Sequence, residues 1–198
     1  MSSRRDKFNQ KDIFYMSLAL NLARQRKGLT GSNPSVGCII VKNNKIISYG
    51  QTGIGGYPHA EYNAIKKCKY NLKNSSLYVS LEPCSHYGKT PPCTNQIIKS
   101  KIKKVYFSVN DADIRSSKKA QNILNNKKII VKKFLLKKYA FKIYKNYFYS
   151  KKKRLPYVIG KIACSKDKYI DVKNKIITNE QSRKVSHLLR YKNQAILI

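Results

Sequence analysis

The chain has 198 residues, which is enough for one ordinary domain with some residues left over. Apolar residues make up 41% of it, so a core can be buried. No segment approaches the roughly 20 consecutive apolar residues that span a bilayer, which excludes an integral membrane protein and leads us to expect no membrane partner. The formal net charge is +33, from 42 Lys and Arg against 9 Asp and Glu.

This positive charge has two interpretations. A strongly positive surface attracts nucleic acid and phosphorylated ligands, most of all at low salt. The basic residues are mainly lysines, however, and they are spread along the chain among Asn, Ile and Tyr, whose codons are AT-rich. Genome base composition therefore explains the pattern without a partner. We expect nucleic acid to bind only adventitiously, and the field to favour phosphorylated substrates.

Cysteine use and the N-terminus predict a cytoplasmic protein. The five cysteines are an odd number, which does not suit a framework of disulfides. Residues 1–7 are polar and lack the apolar run of a signal peptide. Both observations indicate a reducing compartment.

The first elements in chain order are a helix and a hairpin. Residues 12–27 place apolar side chains four apart, which is typical of an amphipathic helix on a sheet, and Gly28 can end it. Two β-branched runs at 36–42 and 46–49 are joined by an asparagine pair at 43–44. That arrangement predicts a β-hairpin.

A histidine and a glutamate two residues apart are followed by a Pro-Cys pair and a second cysteine. This order matches the zinc deaminase signature, in which imidazole and two thiolates hold the metal and the glutamate stays uncoordinated. We therefore predict His59, Cys84 and Cys93 as ligands of one zinc ion. Three protein ligands leave the fourth position open for water, as in a catalytic site. Glu61 is then the general base that takes a proton and returns it as a general acid.

Helix ends are expected to carry the ligands. A helical pattern covers about residues 59–70, with the histidine and the glutamate in its first turn. A strand is expected at about 77–81. Pro83 suits the first position of a new helix, whose dipole would stabilise the Cys84 thiolate and lower its pKa.

The run Glu-Pro-Cys-Ser-His-Tyr-Gly-Lys-Thr-Pro-Pro-Cys at 82–93 separates the cysteines by more than the common Cys-x-x-Cys. It resembles the riboflavin-biosynthesis pyrimidine deaminases, which form the N-terminal half of a bifunctional deaminase/reductase family. The resemblance covers roughly residues 11–150. It implies zinc-dependent hydrolytic deamination of 2,5-diamino-6-ribosylamino-4(3H)-pyrimidinone 5′-phosphate to the pyrimidinedione, and so a small phosphorylated pyrimidine as the ligand.

The resemblance also implies four substrate contacts. Asn33, in Asn-Pro-Ser-Val-Gly, aligns with an asparagine that helps to hold the substrate, although Asn-Pro equally suits a turn. His86 and Lys89 align with contacts to the ring and to the 5′-phosphate. Asp111 aligns with the start of an Asp-Pro-Asn-Pro-like loop, which here is Asp-Ala-Asp-Ile and equally suits a turn. Thr52 stands where relatives have a histidine, which leaves one contact open.

The remaining elements complete an α/β fold. We expect a short helix near 97–98, strands at 103–109 and 128–134, a helix at 117–125, and a lysine-rich helix to about 149 whose aromatic side chains serve packing. Two hairpin strands followed by alternating helices and strands predict a three-layer α/β/α domain with a mixed five-stranded sheet. The resemblance implies the same cytidine-deaminase-like fold.

We divide the chain into a deaminase domain at 1–150, a basic linker at 151–154 and a truncated reductase-like segment at 155–198. The last segment resembles the first strand, helix and strand of the family's NADPH-dependent reductase domain, at 155–163, 178–191 and 195–198. About 44 residues cannot bury enough surface for an independent nucleotide-binding domain. We therefore expect neither NADPH binding nor reductase activity here, and a separate reductase as a partner in the pathway.

Two other functions stay open. A zinc deaminase acting on tRNA or single-stranded nucleic acid would suit the charge, but it predicts the short cysteine spacing. An inactive remnant acting as a binding protein would suit the C-terminal segment, but it predicts the loss of a ligand or of the glutamate. All four of those residues are present. Apolar strands in the C-terminal segment would also favour a homo-oligomer.

Overall fold

The computed structural model describes residues 8–170, 173 and 176–197 of the chain. Within these ranges, helices and strands alternate after an initial hairpin. The elements are α1 (Gln10–Gln25), β1 (Gly37–Lys42), β2 (Lys45–Gln51), α2 (Ala60–Lys67), β3 (Ser76–Val79), α3 (Cys93–Lys99), β4 (Lys104–Phe107), α4 (Ala120–Asn125), β5 (Ile130–Lys133), α5 (Lys137–Lys153) and α6 (Glu180–Tyr191).

The five strands form one mixed sheet in the order β2-β1-β3-β4-β5. β1 is antiparallel to both β2 and β3, whereas β3, β4 and β5 are parallel to one another. The helices form two groups, because α1 contacts α5 while α3 contacts α2 and α4. The predicted three-layer α/β/α fold with a mixed five-stranded sheet is therefore confirmed.

The predicted hairpin is also present. Asn43 and Asn44 both have positive φ angles, of 50° and 59°, which are the angles that a two-residue hairpin turn requires. α1 begins at Gln10, earlier than the pattern predicts, because Asn9 caps it. The Asn9 side chain accepts the backbone N–H of Asp12, and the Asp12 carboxylate accepts the N–H of Asn9.

One edge of the sheet collects the loops that carry the motifs. Gly37 at the start of β1 pairs with Gln51 at the end of β2. Cys38 pairs with Val79 at the end of β3, and β4 ends at the same edge because it is parallel to β3. The segments that meet at this edge are therefore 28–36, 52–59, 80–92 and 108–119.

The helix predicted at Pro83 is wrong. Residues 82–92 form no regular element, and the helix begins at Cys93 with Pro92 as its N-cap. The carbonyl of Pro92 accepts the N–H groups of Asn95 and Gln96, whereas those of Cys93 and Thr94 are bound by the Sγ atom and the carbonyl of Cys84. Cys84 thus lies in a loop, and Cys93 is the cysteine at a helix N-terminus.

The basic run at 151–154 does not form a separate linker. Lys151–Lys153 are the last turn of α5, and Arg154 caps that helix with a left-handed backbone conformation. The boundary between the predicted domains stays a prediction. Among the described residues, no helix is both long and apolar enough to cross a membrane.

The C-terminal segment is mostly exposed. Helix α6 confirms the helix expected at 178–191, and none of its residues is buried. The strands expected at 155–163 and 195–198 are not formed in the described part of the chain, because no partner strand lies beside them. Ile198 of the second strand and the polar residues 1–7 lie outside the described residues.

Helix α2 lies close against β2 at Gly50. A methyl group on Gly50 would overlap the backbone of α2 at Ala60 and Ala64. Only glycine lets the helix pack this closely on the strand. The close packing places the first turn of α2 over the sheet edge.

We expect Gly50→Ala to lower the free energy of unfolding by about 1–3 kcal/mol, since overpacking forces the backbone apart. Denaturation by urea measures the change. Gly160→Ala is the matched control, because a methyl group there meets no neighbouring atom. Equal stability of the two variants would show that α2 does not depend on this contact.

Candidate active site

The three predicted metal ligands meet at the sheet edge. His59 is the N-cap of α2, Cys84 follows β3 in a loop, and Cys93 is the first residue of α3. The Nδ1 atom of His59 lies 3.3 Å from the Sγ atom of Cys93 and 3.5 Å from that of Cys84. A nitrogen and a sulfur ligand of one tetrahedral zinc ion are about 3.6 Å apart. The three ligand atoms lie within 4.8 Å of one another, so this donor set fits zinc.

The proximity of the two cysteine side chains separates their pKa values. The Cys93 side chain, and then His59 and the Cys93 backbone N–H, stabilise the Cys84 thiolate and lower the pKa of Cys84 to about 4. The same contact, together with burial, raises the pKa of Cys93 well above its usual value. One thiol is therefore more readily ionised than the other, and a bound metal ion would displace the remaining proton.

Glu61 lies beside the ligands in the first turn of α2. It is only 4% exposed. Burial, followed by the charge of Cys84, raises the pKa of Glu61 to about 7. A carboxyl group with this pKa can both accept and donate a proton near neutral pH.

A cavity of about 310 Å³ opens beside these groups. His59, Cys84 and Glu61 lie on its wall, whereas Cys93 is buried and does not line it. The four predicted substrate contacts also lie on this wall, and they are Asn33, His86, Lys89 and Asp111. The fold therefore brings the predicted residues to one site, while their roles stay predictions.

Neighbouring groups orient two of the predicted contacts. The side-chain amide of Asn33 donates to the carbonyl of Gly56 at 3.2 Å. The Nδ1 atom of His86 lies 2.7 Å from the hydroxyl of Ser116, a residue that is fully buried. Both side chains are therefore fixed before a ligand arrives.

The other two contacts are held by aromatic residues that the sequence did not predict. The hydroxyl of Tyr147 donates to the Asp111 carboxylate at 2.7 Å. The ammonium group of Lys89 lies 5.8 Å from the centre of the Tyr57 ring, and that ring stacks on His59 at 5.3 Å. Tyr57 thus lies between His59, a predicted metal ligand, and Lys89, the predicted phosphate contact.

The chain is similar in sequence to known deaminases. Residues 9–109 match the family described as the cytidine and deoxycytidylate deaminase zinc-binding region. A diaminohydroxyphosphoribosylamino-pyrimidine deaminase of Buchnera aphidicola subsp. Schizaphis graminum is 42% identical over 146 residues, which cover 74% of this chain and 99% of that protein. The chain belongs to this deaminase family.

Longer members of the deaminase family match as well. The riboflavin biosynthesis protein RibD of Aquifex aeolicus is 39% identical over 94% of this chain and 53% of that protein. The structure of Acinetobacter baumannii RibD has a TM-score of 0.82 and 32% identity, covering 92% of this chain and 52% of that one. The chain thus spans about half the length of these RibD relatives. The resemblance read from residues 82–93 is confirmed.

Glu82 belongs to the deaminase motif, but its structural role could not be predicted from the sequence. Its side chain is buried, with 3% exposure, and it precedes the Pro-Cys pair. Burial raises its pKa, even though hydrogen bonds to its carboxylate act in the opposite direction. The carboxylate accepts backbone N–H groups at 2.9–3.1 Å from Asp111, Lys118 and Ala120. Glu82 therefore joins the metal-ligand loop after β3 to the loop after β4.

Helix α5 supplies a wall of the cavity that sequence reasoning also missed. Tyr147 and Lys151 lie one turn apart on one face of the helix and both line the cavity. Tyr147 contacts Asp111, while Lys151 and Arg115 contact Asp113. The spacing of four residues between Tyr147 and Lys151 indicates a shared helix face. Aromatic residues on a helix more often pack in the core, however, so this face was not predicted to line a cavity.

Thr52 occupies the position where a histidine was expected. It is 2% exposed and lies on the cavity wall. Its hydroxyl oxygen accepts the backbone N–H of Val36 at 2.9 Å. This hydroxyl thus joins the end of β2 to the segment before β1.

We expect Cys84→Ser to lose stoichiometric zinc, because a hydroxyl is a far poorer ligand than a thiolate with a lowered pKa. Metal analysis of the purified protein measures this. The matched control is Cys164→Ser, at an exposed thiol, which should keep its zinc. Full zinc content in Cys84→Ser would remove Cys84 from the ligand set.

We expect Glu82→Gln to lower the free energy of unfolding by about 1–3 kcal/mol, because its amide nitrogen cannot accept the N–H groups that the carboxylate accepts. Urea denaturation at neutral pH measures the loss. Glu180→Gln, at a carboxylate whose side chain is 72% exposed, is the control and should change little. An unchanged stability for Glu82→Gln would show that the loop after β4 is held by other contacts.

Proposed function

We propose that the chain catalyses the hydrolytic deamination of 2,5-diamino-6-ribosylamino-4(3H)-pyrimidinone 5′-phosphate, with zinc as its metal. Water replaces the amino group on the ring carbon, and ammonia leaves. The substrate assignment is supported by the similarity to the Buchnera deaminase, nearly all of which this chain covers.

One observation carries the proposal: the ligand atoms of His59, Cys84 and Cys93 lie together beside the buried carboxyl group of Glu61. Zinc held by these three residues would make water nucleophilic near neutral pH. The chain must then move protons, because hydrolysis takes a proton from water and delivers protons to the ring nitrogen and to the leaving ammonia.

Glu61 is the residue that we assign to this proton transfer. Its pKa of about 7 lets it act first as a base and then as an acid without a large energetic cost in either direction. Its position in the first turn of α2, two residues after His59, keeps the carboxyl group at the metal-ligand cluster while solvent is excluded from it.

The cavity wall supplies the binding groups. We assign the 5′-phosphate to the ammonium group of Lys89, and contacts with the ring and ribose to Asn33, His86 and Asp111. Polar groups in a small, partly apolar cavity fix the orientation of a ligand in this manner. The side chains are held by Gly56, Ser116 and Tyr147, so little ordering is needed when the ligand binds.

We also propose that the deaminase unit is residues 1–150 and that the protein works in the cytoplasm. All five cysteines have free thiols, which suits a reducing compartment. A separate reductase and a homo-oligomer stay predictions from the sequence.

We expect Glu61→Gln to release ammonia from the proposed substrate about 10²–10⁴-fold more slowly than the wild-type chain, since general acid–base catalysis contributes that much. A coupled ammonia assay on zinc-loaded protein measures the rates. The variant should keep its zinc, because Glu61 is not one of the proposed ligands.

Glu180→Gln serves as the control for removing a carboxylate and should keep the wild-type rate, because Glu180 lies on the exposed helix α6. Addition of a strong chelator should abolish the wild-type rate, and zinc should restore it. A folded, zinc-loaded wild-type chain that releases no ammonia would refute the substrate assignment. If that chain instead released ammonia from single-stranded nucleic acid, it would be a nucleic-acid deaminase.

A further inference from the structure

A charged cluster on the cavity wall is not used by the proposed reaction. The guanidinium group of Arg115 forms two hydrogen bonds to the Asp113 carboxylate, at 2.9 Å from Nε and 2.7 Å from the terminal nitrogen. The ammonium group of Lys151 lies 3.3 Å from the same carboxylate. All three side chains line the cavity.

The cluster brings together two separate elements. Asp113 and Arg115 belong to the loop after β4, whereas Lys151 comes from the last turn of α5. The Asp113 side chain is only 11% exposed, while those of Arg115 and Lys151 are 59% and 37% exposed. The carboxylate is therefore covered by the two cations, which line the cavity and stay accessible to solvent.

The charges of the cluster decide how it acts on an anionic ligand. The Arg115 guanidinium holds the pKa of Asp113 well below its usual range, so Asp113 is ionised. An ionised carboxylate by itself would repel a phosphate group in the same cavity. One carboxylate with two cations instead gives the cluster a net charge of +1 and reverses the sign of its field.

We propose that Arg115 and Lys151, by overcompensating Asp113, determine the preference of this site for a phosphorylated over a phosphate-free ligand. The two residues act as specificity determinants and take no part in bond breaking. This inference rests on the proposed function, because it names the charged end of the proposed substrate as the group that the cluster attracts.

The test varies the net charge of the cluster and follows KM. Arg115→Ala and Lys151→Ala each reduce the charge to zero, and each should raise KM for the phosphorylated substrate on the order of tenfold with kcat nearly unchanged. The double variant, at −1, should raise KM further. Adding Asp113→Asn to the double variant returns the charge to zero and should bring KM back to that of the single variants.

Phosphate-free and conservative controls separate charge from structure. The inhibition constant of the ribosylaminopyrimidine without its phosphate should stay constant across the series, because that compound carries no charge for the cluster to attract. Arg115→Lys keeps the charge but loses the paired hydrogen bonds, and it should keep a KM near that of the wild type. Lys184→Ala removes a positive charge on α6, away from the cavity wall, and should have no effect.

The outcomes are distinguishable. If the wild-type chain releases ammonia and KM follows the charge of the cluster, the inference holds. If the wild-type chain is active but KM is independent of that charge, or the phosphate-free compound is weakened equally, the inference fails and the proposed function stands. If the wild-type chain releases no ammonia from this substrate, the proposed function fails and the inference fails with it.

Discussion

The direction of β1 is the constraint on which the site depends. This strand runs against both of its neighbours, so its first residues lie beside the last residues of β2 and β3. β4 ends at that edge too, because it is parallel to β3. The segments before β1 and after β2, β3 and β4 therefore meet without any long connection. A parallel β1 would send Asn33 to the far edge of the sheet, away from His59 and Cys84.

Polar contacts then hold the gathered loops in register. The buried Glu82 carboxylate accepts the backbone N–H groups of Asp111 and Lys118 in the loop after β4 and of Ala120 at the start of α4. Ser116 of that loop binds His86 of the metal-ligand loop, and Tyr147 of α5 binds Asp111. Hydrogen bonds therefore connect the loop that carries Cys84 with the rest of the cavity wall.

Much of this arrangement follows from local sequence signals. The asparagine pair tolerates the left-handed backbone angles of a hairpin turn and so predicts the hairpin, and the order of His59, Cys84 and Cys93 predicts the donor set, with Glu61 beside it. The hairpin signal depends on two adjacent residues, and the donor set is recognised from short motifs of characteristic residue types. The order of strands and helices likewise limits the possible topologies to a few.

Other features could not be predicted because they depend on partners far along the chain. The N–H groups that Glu82 accepts lie 29 to 38 residues away, in and just after a loop whose path no periodicity describes. Pro83 suits a helix start and an extended loop equally, and only the packing of the loop decides between them. Helical spacing showed that Tyr147 and Lys151 share a face, but not that this face borders a cavity.

Thr52 shows how the contact of one side chain restricts the residues that its position can accept. Its hydroxyl satisfies the N–H of Val36 in a place that solvent does not reach. A histidine introduced at position 52 could accept the N–H of Val36 only with a ring nitrogen placed where the threonine oxygen lies. Otherwise that N–H would be unpaired, which would lower the free energy of unfolding by about 1–3 kcal/mol. The ring would then have only its other nitrogen to offer a ligand. Position 52 is thus constrained, because a histidine there depends on compensating changes in the segment before β1.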